Sequence, residues 1–318
     1  MLDILLPWIA ILVGFAGLIW SADRFVDGSA TIASNFGVSK LIVGLTVVAF
    51  GTSAPEVIVS ISSSLSDAGD LAVGNALGSN LANVGMVLGI TALIAPLPIK
   101  KHILKEEFLI MLAIMALSGF FLYDGKLHTW EGMVLICSLL PLLLWIAYSK
   151  KNHPEDVEDL PDEMPTRMAI VWFILGLSAL IVSAEILVWG AKAIAISFGV
   201  SPLVIGLTIV AVGTSLPELA ASVMSALKGH HDIAIGNVIG SNIFNLLLVM
   251  GIAPIISPIV MDTIVFTRDF AAMAFITLVL GGFMLISYLK NKRGTSQLGR
   301  LAGLILLILY GAYYTLLF

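Results

Sequence analysis

The sequence predicts an all-α integral membrane protein with ten transmembrane helices in two inverted five-helix repeats. Three observations predict this fold. The composition is too apolar for a water-soluble domain, the apolar residues fall into ten membrane-length runs, and the two halves of the chain repeat one another without a gap. Together they indicate a protein that carries out its function inside the bilayer.

The amino-acid composition indicates a protein that is surrounded by lipid rather than by water. Of the 318 residues, 59% are hydrophobic and 12% are charged, whereas a soluble domain has roughly 45–50% apolar and about 25% charged residues. The net charge of −5 provides no basic surface for nucleic acid. The single cysteine, Cys137, excludes an internal disulfide and is predicted to be a packing residue. The lipid bilayer is therefore the only predicted partner, and neither nucleic acid nor a protein partner is indicated.

The apolar runs give the number of spans. A hydrocarbon core about 30 Å thick needs roughly 20 apolar residues per helix. Ten charge-poor runs meet this requirement, near residues 4–20, 38–65, 71–96, 107–123, 130–148, 168–190, 200–227, 233–258, 270–289 and 299–317. The residues before the first run include Asp3 but no Lys or Arg. This run therefore lacks the positive region of a secretory signal and is predicted to be a retained span.

An acidic segment divides the chain. Residues 149–167 contain three prolines and six acidic residues, a composition typical of a solvated linker. We predict a first five-helix half over residues 1–148, a cytoplasmic linker over 149–167, and a second five-helix half over 168–318.

The internal repeat is the largest signal in the sequence. Residues 37–89 align with 199–251 at a constant offset of 162, and 27 of the 53 aligned positions are identical. If each half has five spans, an odd number, the second half must enter the membrane in the opposite orientation to the first. The repeat is therefore predicted to be inverted.

The basic residues predict the orientation. With ten spans, thirteen of the sixteen Lys and Arg residues fall on one face, and only Lys126, Lys192 and Arg268 fall on the other. We expect the basic-rich face to be cytoplasmic. This orientation places both termini outside and the protein in the plasma (inner) membrane as a multi-pass protein.

Spans two and seven each contain a G-T-S-x-P-E segment, at residues 51–56 and 213–218. A proline inside a helix removes an N–H, and in lipid the freed backbone groups need protein, water or an ion as partners. An ionisable side chain at mid-membrane costs about 2.5–3.5 kcal/mol, so two of them at equivalent positions, Glu56 and Glu218, indicate a function. A packing kink with a protonated, hydrogen-bonded glutamate is the competing interpretation for each half.

Spans three and eight supply further oxygen ligands. Ser79 and Asn83 are four residues apart, as are Ser241 and Asn245, so each pair projects from one helix face. Carboxylate, hydroxyl, amide and carbonyl oxygens suit hard cations such as Ca²⁺ rather than Zn²⁺ or Cu⁺. An interhelical hydrogen bond is the alternative role for each Ser or Asn.

The paired G-T-S-x-P-E and G-S-N-x-x-N segments resemble the alpha repeats of the cation/calcium exchanger superfamily, specifically those of the compact prokaryotic sodium/calcium antiporters. The resemblance covers nearly the whole chain. It implies calcium ligands at Glu56 and Glu218 and at the backbone carbonyls of Thr52 and Thr214. The sodium ligands that it implies are Ala49, Ser53, Ser79, Asn83, Ala211, Ser215, Ser241 and Asn245. Some members carry Asp where this chain has Asn245, a difference that bears on ion stoichiometry and on potassium dependence.

The resulting functional prediction is a secondary-active antiporter that exchanges Na⁺ for Ca²⁺ by alternating access at a shared mid-membrane carboxylate site. Two carboxylates neutralise one Ca²⁺, whereas a site without cations leaves two like charges in a low-dielectric region. We therefore expect that the empty site does not readily move from access on one side of the membrane to access on the other. Ca²⁺ and Na⁺ are transported ions. No cofactor is expected, and the sequence contains no Walker motif, so the protein is predicted to be a transporter and not an enzyme.

Three other functions compete with this prediction. A proton/calcium exchanger would not need the sodium-site serines. A passive cation channel is compatible with the mid-membrane carboxylates alone, and only saturable counter-transport excludes it. An intramembrane protease would need a Ser–His or paired-Asp constellation at depth, which the sequence does not contain.

Overall fold

The computed structural model describes residues 2–151, 164–200, 209, 211–290 and 296–317. Most of the predicted acidic linker and the beginning of predicted span seven lie outside these residues.

The first half contains helices that follow the predicted runs, with the second and third runs interrupted. Its elements are α1 (Leu2–Asn35), α2 (Lys40–Val43), a π-helical turn (Gly44–Val48), α3 (Ala49–Thr52), α4 (Ala54–Leu65), α5 (Gly69–Ala82), a π-helical turn (Asn83–Val87), α6 (Leu88–Ile94), strand β1 (Leu97–Pro98), a π-helical turn (Ile103–Glu107), α7 (Phe108–Leu122), strand β2 (Lys126–Leu127) and α8 (Thr129–Lys151).

The second half follows the same order in the part that the structure describes. Its elements are α9 (Thr166–Ser197), α10 (Ala211–Thr214), α11 (Leu216–Leu227), α12 (His231–Phe244), a π-helical turn (Asn245–Val249), α13 (Met250–Ile256), strand β3 (Ile259–Val260), a π-helical turn (Val265–Phe270), α14 (Ala271–Lys290), strand β4 (Gln297–Leu298) and α15 (Arg300–Tyr314).

The membrane-spanning helices are recognised by their length and composition. Six helices of the described chain are long and apolar enough to cross a bilayer, and there are seven if the pair Lys40–Thr52 and Ala54–Leu65, bent by 43°, counts as one span. The helices Leu216–Leu227 and Arg300–Tyr314 are apolar but shorter. The predicted helical membrane fold is therefore confirmed, while the count of ten spans stays a prediction.

The six long helices fall into two groups by burial, with two central helices and four outer ones. In the helices 69–94 and 231–256, 78% of the most apolar 18-residue segment is buried inside the protein. In the four other long helices the buried share of that segment is 22–33%. The outer helices expose large apolar side chains such as Leu12, Phe120 and Leu301, as contact with lipid requires. Cys137 on α8 is also exposed, so the prediction that it packs inside the protein was wrong.

Two short strand pairs connect the halves. β1 pairs antiparallel with β4, and β2 pairs antiparallel with β3. β1 and β3 are related by the 162-residue offset, yet they do not pair with each other. In the predicted ten-span topology, the β1 and β4 loops lie on the cytoplasmic face and the β2 and β3 loops lie outside. Each pair thus joins loops of the same predicted face, which agrees with an inverted repeat.

The first helices of the two halves, α1 and α9, pack against each other through glycines. A Cβ added at Gly176 would lie 2.6 Å from the backbone nitrogen of Phe25, and one added at Gly28 would lie 2.6 Å from that of Phe173. Such backbone contact requires small residues, as in other membrane helix pairs. The two helices therefore form one antiparallel unit beside the central helices.

The predicted topology has a direct test. Alkaline phosphatase fused after Phe318 should be active in a bacterial host, and a fluorescent protein fused at the same point should be dark, because the C-terminus is expected outside. A fusion in the 149–167 linker should give the opposite pattern and serves as the control. A fluorescent C-terminal fusion with inactive phosphatase would overturn both the orientation and the odd number of spans per half.

Candidate functional site

The two G-T-S-x-P-E segments break their helices, as their prolines predict. Ser53 (φ −81°, ψ 6°) separates α3 from α4, and Ser215 (φ −90°, ψ 4°) separates α10 from α11. Pro55 and Pro217 lie in the first turn of the following helix, where a missing N–H is tolerated. Neighbouring backbone bonds continue through the breaks, such as that from the Val57 N–H to the Ser53 carbonyl at 3.2 Å. The carbonyls of Gly51 and Gly213, four residues before the prolines, lack their usual helical donor.

Helix α12 of the second half lies in backbone contact with the broken helix of the first half. A Cβ added at Gly236 would lie 2.8 Å from the Leu41 carbonyl oxygen, and one added at Gly240 would overlap the Leu45 carbonyl oxygen and lie 2.7 Å from the Ala49 Cβ. This close approach requires glycine. It places the backbone of Ala49, a predicted sodium ligand, directly against α12.

The two glutamates are buried at the centre of this arrangement, with exposed fractions of 1% for Glu56 and 0% for Glu218. The Ser79 hydroxyl donates to Glu56 Oε1 at 3.4 Å, and the Ser53 hydroxyl donates to Glu218 Oε1 at 3.3 Å. Because Ser53 and Glu218 belong to different halves, the two motifs meet in one site.

Several polar atoms of this site have no hydrogen-bond partner. Within the described residues, the buried unpartnered atoms of the site are Glu56 Oε2, Glu218 Oε2, the hydroxyl oxygens of Ser215 and Ser241, and both amide atoms of Asn83 and Asn245. Buried polar groups are normally hydrogen-bonded, and leaving one unsatisfied costs about 1–3 kcal/mol. Such a concentration of unpaired oxygen atoms is what a site for an additional polar species requires.

The remaining predicted ligands lie at the breaks and on the same helices. Ala49 and Thr52 are buried on α3, whereas Ala211 and Thr214 on α10 are half-buried. The Ala49 carbonyl accepts the Ser53 N–H at 3.0 Å, and the Thr214 hydroxyl donates to the Ala211 carbonyl at 3.2 Å. The structure thus gathers all twelve predicted residues on α3 to α5 and α10 to α12 or at their ends. Their assignment to particular ions stays a prediction.

The π-helical turns that follow α5 and α12 begin at predicted ligands. Asn83 is the first residue of one turn, and Asn245 is the first residue of the other. Single π-helical turns within α-helices are frequently found at functional sites. No pattern in the sequence predicted these turns.

Two site residues were missed from the sequence. Asn75 donates to the backbone carbonyl of Glu56 at 3.4 Å, and Asn237 donates to that of Glu218 at 3.3 Å. They are related by the 162-residue offset and are identical in the two repeats. This identity is the signal that could have found them, because each follows a repeated glycine one turn before the G-S-N segment.

A cavity of about 220 Å³ lies between α9 and the two helix breaks. Its lining includes Glu185 and Lys192 of α9, the predicted ligand Thr214, and both prolines of the breaks. The cavity therefore connects charged side chains on α9 with the two interrupted helices.

The corresponding position on α1 is occupied by an ion-pair cluster. Lys228, which follows α11, lies 2.7 Å from Asp23 Oδ1 and 2.6 Å from Asp27 Oδ1. Asp23 is the repeat equivalent of Glu185. The two sides of the site thus differ, with a cavity along α9 and ion pairs against α1.

Comparison with known proteins gives consistent matches over the whole chain. Residues 6–148 and 168–318 match the family model described as sodium/calcium exchanger protein. CaxA of Alkalimonas amylolytica is 44% identical over 321 residues, which cover 99% of each chain. YrbG of Escherichia coli (strain K12), named an inner membrane protein, is 36% identical over 311 residues, 95% of this chain and 94% of that one. The solved structure of the sodium-calcium exchanger NCX_Mj, soaked with 10 mM Na⁺ and 10 mM Sr²⁺, has a TM-score of 0.83 at 33% identity and covers 98% of both chains.

Proposed function

The chain belongs to the sodium/calcium exchanger protein family, and from this premise we propose that it is a secondary-active antiporter that exchanges Na⁺ for Ca²⁺ at the site between the two broken helices. Membership in the family makes it a membrane-embedded cation/calcium exchanger and hence a transporter. Sodium as the counter-ion, the roles of the residues and the alternating-access mechanism are the parts that we propose.

One observation carries the proposal: two buried glutamates lie among oxygen atoms that have no hydrogen-bond partner in the described chain. Ca²⁺ takes six to eight oxygen ligands, including carboxylates and backbone carbonyls. Two carboxylates balance the charge of one Ca²⁺, and without a cation their mutual repulsion and desolvation are unfavourable. A dehydrated hard cation satisfies both the charges and the unpaired oxygen atoms.

The proposed ligand roles are those that the resemblance to the exchanger family implies. Glu56 and Glu218, with the backbone carbonyls of Thr52 and Thr214, bind Ca²⁺. The proposed sodium ligands are the alanine carbonyls and the remaining polar side chains, Ala49, Ser53, Ser79, Asn83, Ala211, Ser215, Ser241 and Asn245. Because Ser53 and Ser79 hydrogen-bond to the carboxylates, Na⁺ and Ca²⁺ compete for one cage. This competition couples the movement of one ion to that of the other.

We propose that the structure represents the state open to the outside. In the predicted topology, Glu185 and the cavity along α9 lie toward the outer face, while Lys228 and its two aspartates lie toward the cytoplasm. Opening to the cytoplasm then requires α1 and α9 to move together against the central helices, because these two helices form one unit. An empty site opposes this movement because its two carboxylates repel each other.

The proposed function is tested by radiolabelled Ca²⁺ flux in proteoliposomes with imposed Na⁺, K⁺ or H⁺ gradients. Saturable Ca²⁺ uptake driven only by an outward Na⁺ gradient is the expected result. Uptake driven by H⁺ in the absence of Na⁺ would identify a proton/calcium exchanger instead. Unsaturable Ca²⁺ leak without counter-transport would identify a passive channel.

Asn245→Asp is expected to alter ion coupling while leaving the fold intact. The change is nearly isosteric, and both amide atoms of Asn245 are buried and without a partner in the described chain. A third carboxylate beside two others favours additional cation charge or binds a proton. The measurement is the Na⁺ and pH dependence of Ca²⁺ flux, with Asn35→Asp at the exposed end of α1 as the control that adds the same charge outside the site. Unchanged Na⁺ and pH dependence would place Asn245 outside the site.

A further inference from the structure

We infer that Asn237 is a positioning residue of the cation site: it accepts a hydrogen bond from the Thr52 hydroxyl and donates one to the Glu218 backbone carbonyl, and so fixes the spacing of these two residues of the site. This inference rests on the proposed function, because it concerns a residue that holds two of the proposed calcium ligands without binding the ion itself.

The side-chain amide of Asn237 is fully buried and contacts both halves of the chain. Asn237 lies on α12 with an exposed fraction of 0%. Its Nδ2 lies 2.9 Å from the Ser222 hydroxyl and 3.3 Å from the backbone carbonyl oxygen of Glu218. Its Oδ1 lies 3.1 Å from the hydroxyl of Thr52 in the other half of the chain. The Asn237 amide therefore connects both broken helices.

The direction of each hydrogen bond follows from the chemistry of the groups. A backbone carbonyl only accepts, so the Asn237 NH₂ group must face Glu218 and its oxygen must face Thr52. An amide oxygen also only accepts, so the Thr52 hydroxyl must be the donor. The other acceptor within reach of the Thr52 hydroxyl is the Ala49 carbonyl oxygen of its own helix at 3.4 Å, which is farther away than Asn237 Oδ1.

The hydrogen bond to Asn237 joins the two halves of the chain. Without the Asn237 side chain, the Thr52 hydroxyl keeps only the acceptor in its own helix, and the bond from α12 to the Glu218 backbone is lost as well. Thr52 and Glu218 both belong to the proposed calcium site, so their spacing depends on Asn237.

The other half of the chain lacks this arrangement in the described residues. Asn75 donates to the Glu56 carbonyl at 3.4 Å, but the Thr214 hydroxyl donates to the carbonyl of Ala211 in its own helix at 3.2 Å. The Thr52 hydroxyl has the equivalent contact with the Ala49 carbonyl at 3.4 Å, so the hydrogen bond to Asn237 is what distinguishes the two halves. The repeat therefore provides a matched pair in which only one asparagine is bonded to a threonine of the other half.

A double-mutant cycle tests the inference. The variants are Asn237→Ala, Thr52→Val and their combination, and the measurement is the dissociation constant for Ca²⁺ of the purified full chain by isothermal titration. Asn237→Ala should weaken Ca²⁺ binding roughly tenfold, because Thr52 and the Glu218 backbone lose the amide that joins them. In the Thr52→Val background the same change should have a smaller effect, because the hydrogen bond between the two halves is already absent, so the effects are non-additive.

The second half of the repeat supplies the control cycle. Asn75→Ala and Thr214→Val should combine additively, since their side chains share no hydrogen bond among the described contacts. If Asn237→Ala does not purify as a monodisperse protein, Asn237→Leu, which fills a similar volume without an amide, replaces it in the cycle.

The outcomes separate the inference from the proposed function. Additive effects of the Asn237 and Thr52 substitutions, in a wild-type protein that binds Ca²⁺, would overturn the positioning role and leave the proposed function in place. Absence of Ca²⁺ binding by the wild type would overturn the proposed function and the inference together.

Discussion

Glu56→Gln and Glu218→Gln are each expected to reduce Na⁺-driven Ca²⁺ flux to background in protein that still inserts and purifies normally. Glutamine keeps the shape of the side chain but removes one of two negative charges. Ca²⁺ would then face a single carboxylate, and the cost of its dehydration would no longer be balanced by the remaining ligands. Because each glutamate has an unpartnered buried oxygen, loss of its charge is not compensated by another side chain.

The stability of these two variants should stay the same or rise in the absence of ions. Removing one buried charge relieves its desolvation and the repulsion between the two carboxylates. The thermal midpoint of the purified protein, measured without Na⁺ and Ca²⁺, checks this direction. A large fall in the midpoint would indicate that the glutamates have a structural role.

The flux measurement has matched controls within the repeat. Asp70 and Asp232 are also related by the 162-residue offset. The Asp70 carboxylate accepts the N–H of Leu71 at 2.9 Å, and Asp232 forms a 2.7 Å ion pair with Lys100, so neither lies in the site. Asp70→Asn and Asp232→Asn should retain most of the Ca²⁺ uptake into Na⁺-loaded proteoliposomes. Near wild-type uptake in either glutamate variant would defeat the ligand assignment.

Gly240→Ala is expected to lower both stability and transport. A Cβ at this position would overlap the carbonyl oxygen of Leu45 and lie 2.7 Å from the Cβ of Ala49. Backbone atoms cannot move aside as a flexible side chain can, so α12 and the broken helix must separate. Overpacking of this kind typically costs about 1–3 kcal/mol. The separation also displaces Ala49 and Thr52 from the residues that they face across the two halves.

A second glycine-to-alanine change is the control for this prediction. Gly311 lies on α15, and a Cβ added there would meet no atom of the described chain within 4 Å. Gly311→Ala should therefore leave the thermal midpoint unchanged or raise it, since alanine favours a helix over glycine by up to about 1 kcal/mol. The measurements are the thermal midpoint in detergent and the Ca²⁺ flux of both variants. Equal stability of Gly240→Ala and the wild type would contradict the close packing of α12.

Much of the architecture could be predicted from local features of the chain. Pro55 and Pro217 have no N–H to donate, which favours the helix breaks at Ser53 and Ser215, although Pro141 lies within the unbroken helix α8. The mid-membrane glutamates stand out because charge is rare in apolar runs. Asn75 and Asn237 were missed because an asparagine in a membrane helix is equally compatible with a simple interhelical hydrogen bond.

The sequence by itself determined that the chain lies in a membrane and that its halves repeat, and it predicts which oxygen-bearing side chains lie at mid-membrane. These properties depend on composition, spacing and the chemistry of single residues. Only the tertiary structure decided that Ser53 contacts Glu218 and that Thr52 contacts Asn237, because each pair joins residues from different halves. It also decided that β1 pairs with β4 rather than with its repeat equivalent β3. Contacts between halves depend on the packing of whole helices against one another, and no local pattern in the sequence encodes that geometry.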